Sequence, residues 1–218
     1  MAKRIIVNVG TIGLALVIII GVLYYYFPKI WGDVLFPLDY QELIIKYSKE
    51  YNLDPAFVAA VIYSESHYDP EATSRAGARG LMQIMPATGA SIAGRIGDKN
   101  YSPDKLYEPE TNIRYGCWYL RYLLDDYKGD KNTALAGYNG GGAVGDRYVV
   151  SREAGIPQET KGYINTVLFA EEMYLKLYPT ELYIQNPENV AEKLKLPALE
   201  LTLWEKMINF IKEKISGL

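Results

Sequence analysis

Residues 5–27, IIVNVGTIGLALVIIIGVLYYYF, contain no charged side chain across 23 consecutive positions. As a helix such a run measures ~34 Å, enough to cross a hydrocarbon core of ~30 Å. Lys3 and Arg4 precede it, and Tyr24, Tyr25, Tyr26 and Trp31 gather at its far end. Basic residues stay on the cytoplasmic side and aromatic rings mark the interface, so the pattern predicts a cytoplasmic N-terminus with everything after the run outside the membrane. No small-x-small cleavage site follows and no cysteine stands nearby to accept a lipid, so a retained single-pass anchor is expected over a removed signal peptide. The chain then divides into an anchor segment (1–31), a folded domain (32–182) and a C-terminal extension (183–218).

The 218 residues are 49% hydrophobic, sufficient for one sizeable core. The formal net charge is −3 and no Lys/Arg block occurs, which argues against nucleic acid as a partner. Cys117, the single cysteine, lies in the apolar run YGCWYLRYLL and reads as a small core residue. His67 is the single histidine, which excludes a multi-histidine zinc site, and no metal or organic cofactor is expected. A histidine-dependent triad would have to use His67 itself.

From Asp39 to Leu177 the apolar spacing is helical, interrupted by glycine and proline, with little of the strict alternation that marks strands. The fold class expected is mainly α. Asp39 is placed to cap a helix burying Tyr40, Leu43, Ile44 and Tyr47, and Asp54 with Pro55 forms an N-cap and first-turn pair for the next. Further helices are expected over about 86–94, 109–127, 132–138 and 159–177. The segments SRAGARG and YNGGGAVG read as loops whose glycines permit positive φ and close approach.

The second of these helices carries an anomaly. Val58, Val61 and Ile62 precede Glu65 by seven, four and three residues, so on a helix they share its face and the carboxylate points inward. Burial disfavours the ionised form and should raise the pKa toward the ~6–7 that suits a general acid at neutral pH. Such a group can protonate a glycosidic oxygen. The same geometry also fits a structural carboxylate paired with Arg75 or Arg79, and the spacing alone leaves both readings open.

Three blocks in order, ESHYDPEATSRAGARGLMQIMPATG, ALAGYNGGGAVGDRY and IPQETKGYINTVL, resemble the soluble lytic transglycosylase domain, glycoside hydrolase family 23, with a goose-lysozyme-like fold. The resemblance runs from about Tyr40 to Leu177. It implies that Glu65 is the catalytic acid and base, and that Ser74, Gln83 and Met85 lie along a sugar-binding cleft. Tyr138 and Asn139 would line the catalytic subsite, with Glu159 a further polar cleft residue and Tyr163 its neighbour. Tyr63, Tyr68 and Tyr138 offer flat surfaces for sugar rings, and Asp69 reads as a turn residue outside the chemistry. The implied substrate is the peptidoglycan glycan strand. Glu65 would protonate the β-1,4 oxygen between N-acetylmuramic acid and N-acetylglucosamine, then deprotonate the C6 hydroxyl that attacks C1, leaving a 1,6-anhydromuramoyl end. The motifs supply no clear second carboxylate, as this route requires. The rival readings are a lysozyme-type hydrolase, and a peptidoglycan-binding component of a secretion or conjugation machine.

The C-terminal extension is broken by Pro187 and Pro197 and ends in LTLWEKMINFIKEKISGL. Trp204, Met207, Ile208, Ile211, Ile215 and Leu218 share one face of an amphipathic helix. That face suits packing on the domain, the membrane interface or a protein partner.

Overall fold

A computed structural model describes residues 34–183 together with Leu16 and Gly32. The expected membrane helix over 5–27, Leu16 excepted, and the expected amphipathic helix over 201–218 lie outside them. Contacts divide the chain into two units, Met1–Leu35 with Lys195–Leu218 and Phe36–Leu194, and the architecture below belongs to the second. Among the described residues no helix is long and apolar enough to cross a membrane.

The domain is mainly helical: α1 (Gln41–Glu50), α2 (Pro55–Ser66), α3 (Pro86–Ile96), α4 (Pro109–Asp126), α5 (Lys131–Gly140), α6 (Gly142–Ser151), α7 (Gln158–Leu177) and α8 (Pro179–Tyr183), with short 3-10 turns at Pro103–Tyr107 and Arg152–Gly155. The only pairing of strand type among the described residues is two isolated bridges, Thr73 with Arg79 and Arg79 with Ile84. Helix starts follow the chain's local chemistry. Asp54 accepts the Ala56 N–H at 3.0 Å and Pro55 occupies the first turn of α2, as expected. Asp130 caps α5 by accepting from Thr133 N–H. Asp39 does not cap α1. That helix begins after Tyr40, which sits in the left-handed region at φ 55°, and no side chain bonds its first turn. Ile44 and Tyr47 are buried as expected, whereas Leu43 and Tyr40 remain half-buried.

Helix α2 is the centre of the core. Every residue from Ala56 to Tyr63 is buried, including three alanines whose small side chains let neighbouring helices approach. A helix apolar all round must be enclosed, and α7 lies along it with α1 and α8 alongside. Aromatic packing closes one end. The Phe36 ring lies tilted against Tyr63 with centroids 4.9 Å apart, Tyr174 donates to Pro37 O at 2.7 Å, and Tyr178 donates to Phe36 O at 2.8 Å. Tyr63 and Tyr68 belong to this cluster, 6% and 5% exposed. The expectation that they offer surfaces to sugar rings is therefore corrected: large aromatics next to a buried helix are worth more as core than as cleft wall. Lys131 of α5 donates to both carboxylate oxygens of Glu171 on α7, at 2.6 and 2.8 Å, tying those helices together.

The segment YNGGGAVG is a second departure. Tyr138, Asn139 and Gly140 end α5, the chain turns at Gly141 (φ 78°), and the rest of the expected loop is the first turn of α6. Positive φ at a single glycine suffices to break α5 from α6.

Candidate active site

Glu65 occupies the last turn of α2, two residues before His67, which ends the helix in the left-handed region at φ 53°. Val58, Val61 and Ile62 on its face are fully buried. The residue as a whole is half-buried, with one side open, while protein packed around its carboxyl strips away most of the water. Burial pushes the carboxyl up from the ordinary 4.5 to about 7, and the neighbouring Tyr163 hydroxyl pulls it slightly back. No arginine or lysine acts on it. Arg79 pairs instead with Asp104 at 2.9 Å and lies over the Tyr107 ring, and Arg75 is exposed. Glu65 makes no ion pair among the described residues. The structural ion-pair reading is therefore set aside.

Two tyrosines flank the carboxyl from different helices, Tyr138 of α5 and Tyr163 of α7. Burial, and next the nearby Glu65 charge, hold both phenols well above the usual tyrosine range. Tyr138 donates to Met82 O at 2.8 Å. The Tyr163 hydroxyl is close enough to act on Glu65, yet it makes no hydrogen bond of acceptable geometry among the described residues. It is a buried neighbour of the carboxyl and not a bonded partner.

The loop from His67 to Met85 forms the adjoining wall. Asp69 accepts the Glu71 N–H at 2.9 Å, a turn residue as expected. Ser74 is exposed and its hydroxyl accepts the Ala78 N–H at 3.0 Å, closing the SRAGA turn. Gln83, at φ 48°, donates its amide to Ala72 O at 3.1 Å and Gly80 O at 2.9 Å. Its side chain thus braces the loop. Met85 is 39% exposed at the entry to α3. Asn139 is exposed, with its side-chain oxygen accepting the Thr160 hydroxyl at 2.9 Å, and Glu159 is exposed in the first turn of α7. The structure couples Glu65 to Tyr138 and Tyr163 and ties Tyr138 to the Gln83 loop. No hydrogen bond or ion pair joins Ser74, Asn139 or Glu159 to Glu65.

The residue that holds this wall in place went unnoticed in the sequence. Asn112 of α4 is fully buried; it accepts the Met82 N–H at 2.7 Å and donates to Arg79 O at 2.8 Å and Leu106 O at 2.6 Å. Gly80 is required beside it: at φ +73° a Cβ there would lie 2.1 Å from Leu106 O and 2.4 Å from the Asn112 amide nitrogen. Ser66 adds a bond from its hydroxyl to Leu81 O at 2.8 Å. In sequence Asn112 stands among Glu110, Thr111, Ile113 and Arg114 in the first turns of a long helix, a mostly polar setting that local pattern cannot separate from a solvent-facing one. Among the described residues no cluster of three or more His, Cys, Asp or Glu could hold a metal ion.

The chain that folds into this helical domain matches a known family. Residues 42–158, more than half of the chain, match the model described as Transglycosylase SLT domain, and the chain belongs to that family. It is 33% identical over 159 residues to the soluble lytic murein transglycosylase of Salmonella typhimurium, covering 67% of this chain and 25% of that protein. It is 38% identical over 116 residues to membrane-bound lytic murein transglycosylase C of Actinobacillus pleuropneumoniae, covering 48% and 32%. Among solved structures, an inactive glutamate-to-glutamine mutant of lytic transglycosylase Slt from Pseudomonas aeruginosa superposes with a TM-score of 0.62 at 26% identity, covering 66% of this chain and 25% of that one. The chain thus spans about a quarter to a third of the length of these relatives.

Proposed function

We propose that this chain is a peptidoglycan lytic transglycosylase in which Glu65 serves first as acid and then as base. One observation carries the reading: a carboxyl without a cation, held near pKa 7 by burial at the end of the central helix. At neutral pH both of its protonation states are populated, which is what a group alternating between donor and acceptor needs. Glu65 protonates the β-1,4 oxygen between N-acetylmuramic acid and N-acetylglucosamine as the C1–O bond breaks, and the muramic acetamido group stabilises C1. The carboxylate then takes the C6 hydroxyl proton while C6–O bonds to C1, closing the 1,6-anhydro ring. Among the described residues burial and Tyr163 act on the Glu65 carboxyl and no second carboxylate does, which favours this route over that of a two-carboxylate hydrolase. A lytic transglycosylase similar to this chain is inactive when one of its glutamates becomes glutamine, which supports a glutamate as the catalytic group. Ser74, Gln83, Met85, Tyr138, Asn139 and Glu159 are assigned to the sugar-binding cleft.

The reading extends to location. The uncharged run over 5–27 anchors the chain, and residues 32–182 act on the wall outside; a membrane-bound relative makes that arrangement familiar. The extension 183–218 lies beyond the catalytic motifs, and its apolar face is assigned to membrane or partner contacts. Protease added to spheroplasts should digest the catalytic domain; full protection would reverse the orientation. Mass spectrometry of sacculi digested by the full chain should find anhydromuramoyl ends. Reducible muramic ends in their place would make the protein a hydrolase.

A further inference from the structure

Thr160, in the first turn of α7, has no part in the proposed chemistry. It is 2% exposed, and its hydroxyl makes one hydrogen bond among the described residues, donating to the Asn139 side-chain oxygen at 2.9 Å. A buried hydroxyl needs an acceptor for its proton. Were the Asn139 amide turned the other way, its NH2 group would face this hydroxyl and the proton would have none. Thr160 therefore fixes which end of the amide faces α7, and the Asn139 nitrogen is directed away from that helix. The nitrogen makes no hydrogen bond among the described residues, and Asn139 is exposed. The next three residues are Gly140, Gly141 and Gly142, so no side chain of the following turn covers it. The amide also stands beside the reacting centre along both helices. Its chain neighbour Tyr138, tied to Met82 O, adjoins Glu65, and one turn along α7 from Thr160 is Tyr163, the other neighbour of that carboxyl.

Resting on the transglycosylase reading, we infer that Thr160 is a positioning residue: it holds the Asn139 amide with both N–H groups toward the open side, ready to donate to a carbonyl oxygen of the bound strand, as a 2-acetamido group offers. An exposed amide free to turn would present its own oxygen in part of its orientations, and a carbonyl cannot bond to that. Fixing the donor before the strand arrives removes the ordering cost from binding and from the reaction. Thr160 does this without touching the substrate, because its one bond is spent on Asn139.

The test uses the full chain in detergent acting on sacculi, with kcat/KM read from the release of anhydromuramoyl ends and the fold of each variant checked by denaturant unfolding. Thr160→Val replaces the hydroxyl with a methyl group of the same shape. It should lower kcat/KM roughly three- to tenfold, the cost of ordering one otherwise free side chain. Thr160→Ser keeps the hydroxyl and should recover most of that loss. In an Asn139→Ala background Thr160→Val should cost nothing further, because the group it positions is already gone. Asn139→Asp still accepts the Thr160 proton but offers the strand an acceptor in place of donors, so it should lose at least as much as Asn139→Ala. Full activity in Thr160→Val, a Thr160→Ser variant as impaired as the valine, or an undiminished Thr160→Val loss in the Asn139→Ala background would overturn the positioning role. Near-normal turnover by Asn139→Asp would overturn it independently, even if Thr160→Val failed to fold. Wild-type protein that releases no anhydromuramoyl ends would instead defeat the transglycosylase reading itself.

Discussion

Asn112 and Glu65 are polar side chains set into the same helical domain, and their surroundings treat them in opposite ways. Asn112 is fully buried and its amide serves three backbone groups, two carbonyls and one N–H, from the loop that walls the site and the turn beneath it. Among the described residues no cation pairs with Glu65, and the neighbouring Tyr163 hydroxyl is itself buried without a hydrogen bond. A satisfied buried polar group specifies a shape, because losing it strands every partner. An unsatisfied one costs folding energy and is tolerated where the substrate supplies the missing partner. The first centre builds the wall, and the second is the group proposed for the chemistry.

The strongest way to break that contrast is Glu65→Gln. The amide preserves size but neither donates a carboxyl proton nor accepts one later, so turnover should fall at least ~10²-fold with the fold intact. Near-normal release of anhydromuramoyl ends by a folded mutant would remove Glu65 from the chemistry. Next in size, Asn112→Ala should cost about 3 kcal/mol or more of stability by denaturant unfolding, since a backbone N–H and two carbonyls lose their partners inside the protein. A loss under about 1 kcal/mol would mean that water replaces the amide and the loop is not held as described.

A subtler effect concerns pH. The Glu65 pKa of about 7 in the folded protein stands above its ordinary 4.5, so the native state holds this proton more tightly than the unfolded chain. The stability from that difference is fully present below pH 4.5 and is lost as pH rises toward 7, on the order of 2–3 kcal/mol at most. Wild type should therefore lose stability relative to Glu65→Gln across this window. Parallel curves for the two proteins would show that the carboxyl is not perturbed by burial. Smallest of all, Tyr163→Phe should leave stability nearly unchanged or slightly raised, because the hydroxyl it removes is buried without a bond. Tyr163 draws the Glu65 pKa down, so the acid–base midpoint of the pH–rate profile should move up in this variant. A drop of several kcal/mol in stability would reveal a firm hydrogen bond to the carboxylate and bring the two centres closer in kind.

Much of this protein follows from local sequence. Asp54 with Pro55, and Pro86 and Pro109 at first-turn positions, start helices where their backbone preferences demand. The inward direction of Glu65 comes from Val58, Val61 and Ile62 at helical spacing, and its raised pKa follows from that direction. These are short-range effects of dihedral preference and of the 3.6-residue period. What tertiary structure alone decided depends on residues far apart in the chain. Tyr138 and Tyr163 act on Glu65 only because α7 packs along α2 and α5 packs on α7, and Asn112 reaches back to Arg79 and Met82 across the fold. Whether a tyrosine becomes core or wall is settled in the same way: Tyr63 and Tyr68 vanish under Phe36 and Tyr174, whereas Tyr122 stays in solvent. A side chain's type sets what it can bond, but only its neighbours in space determine whether water remains to compete.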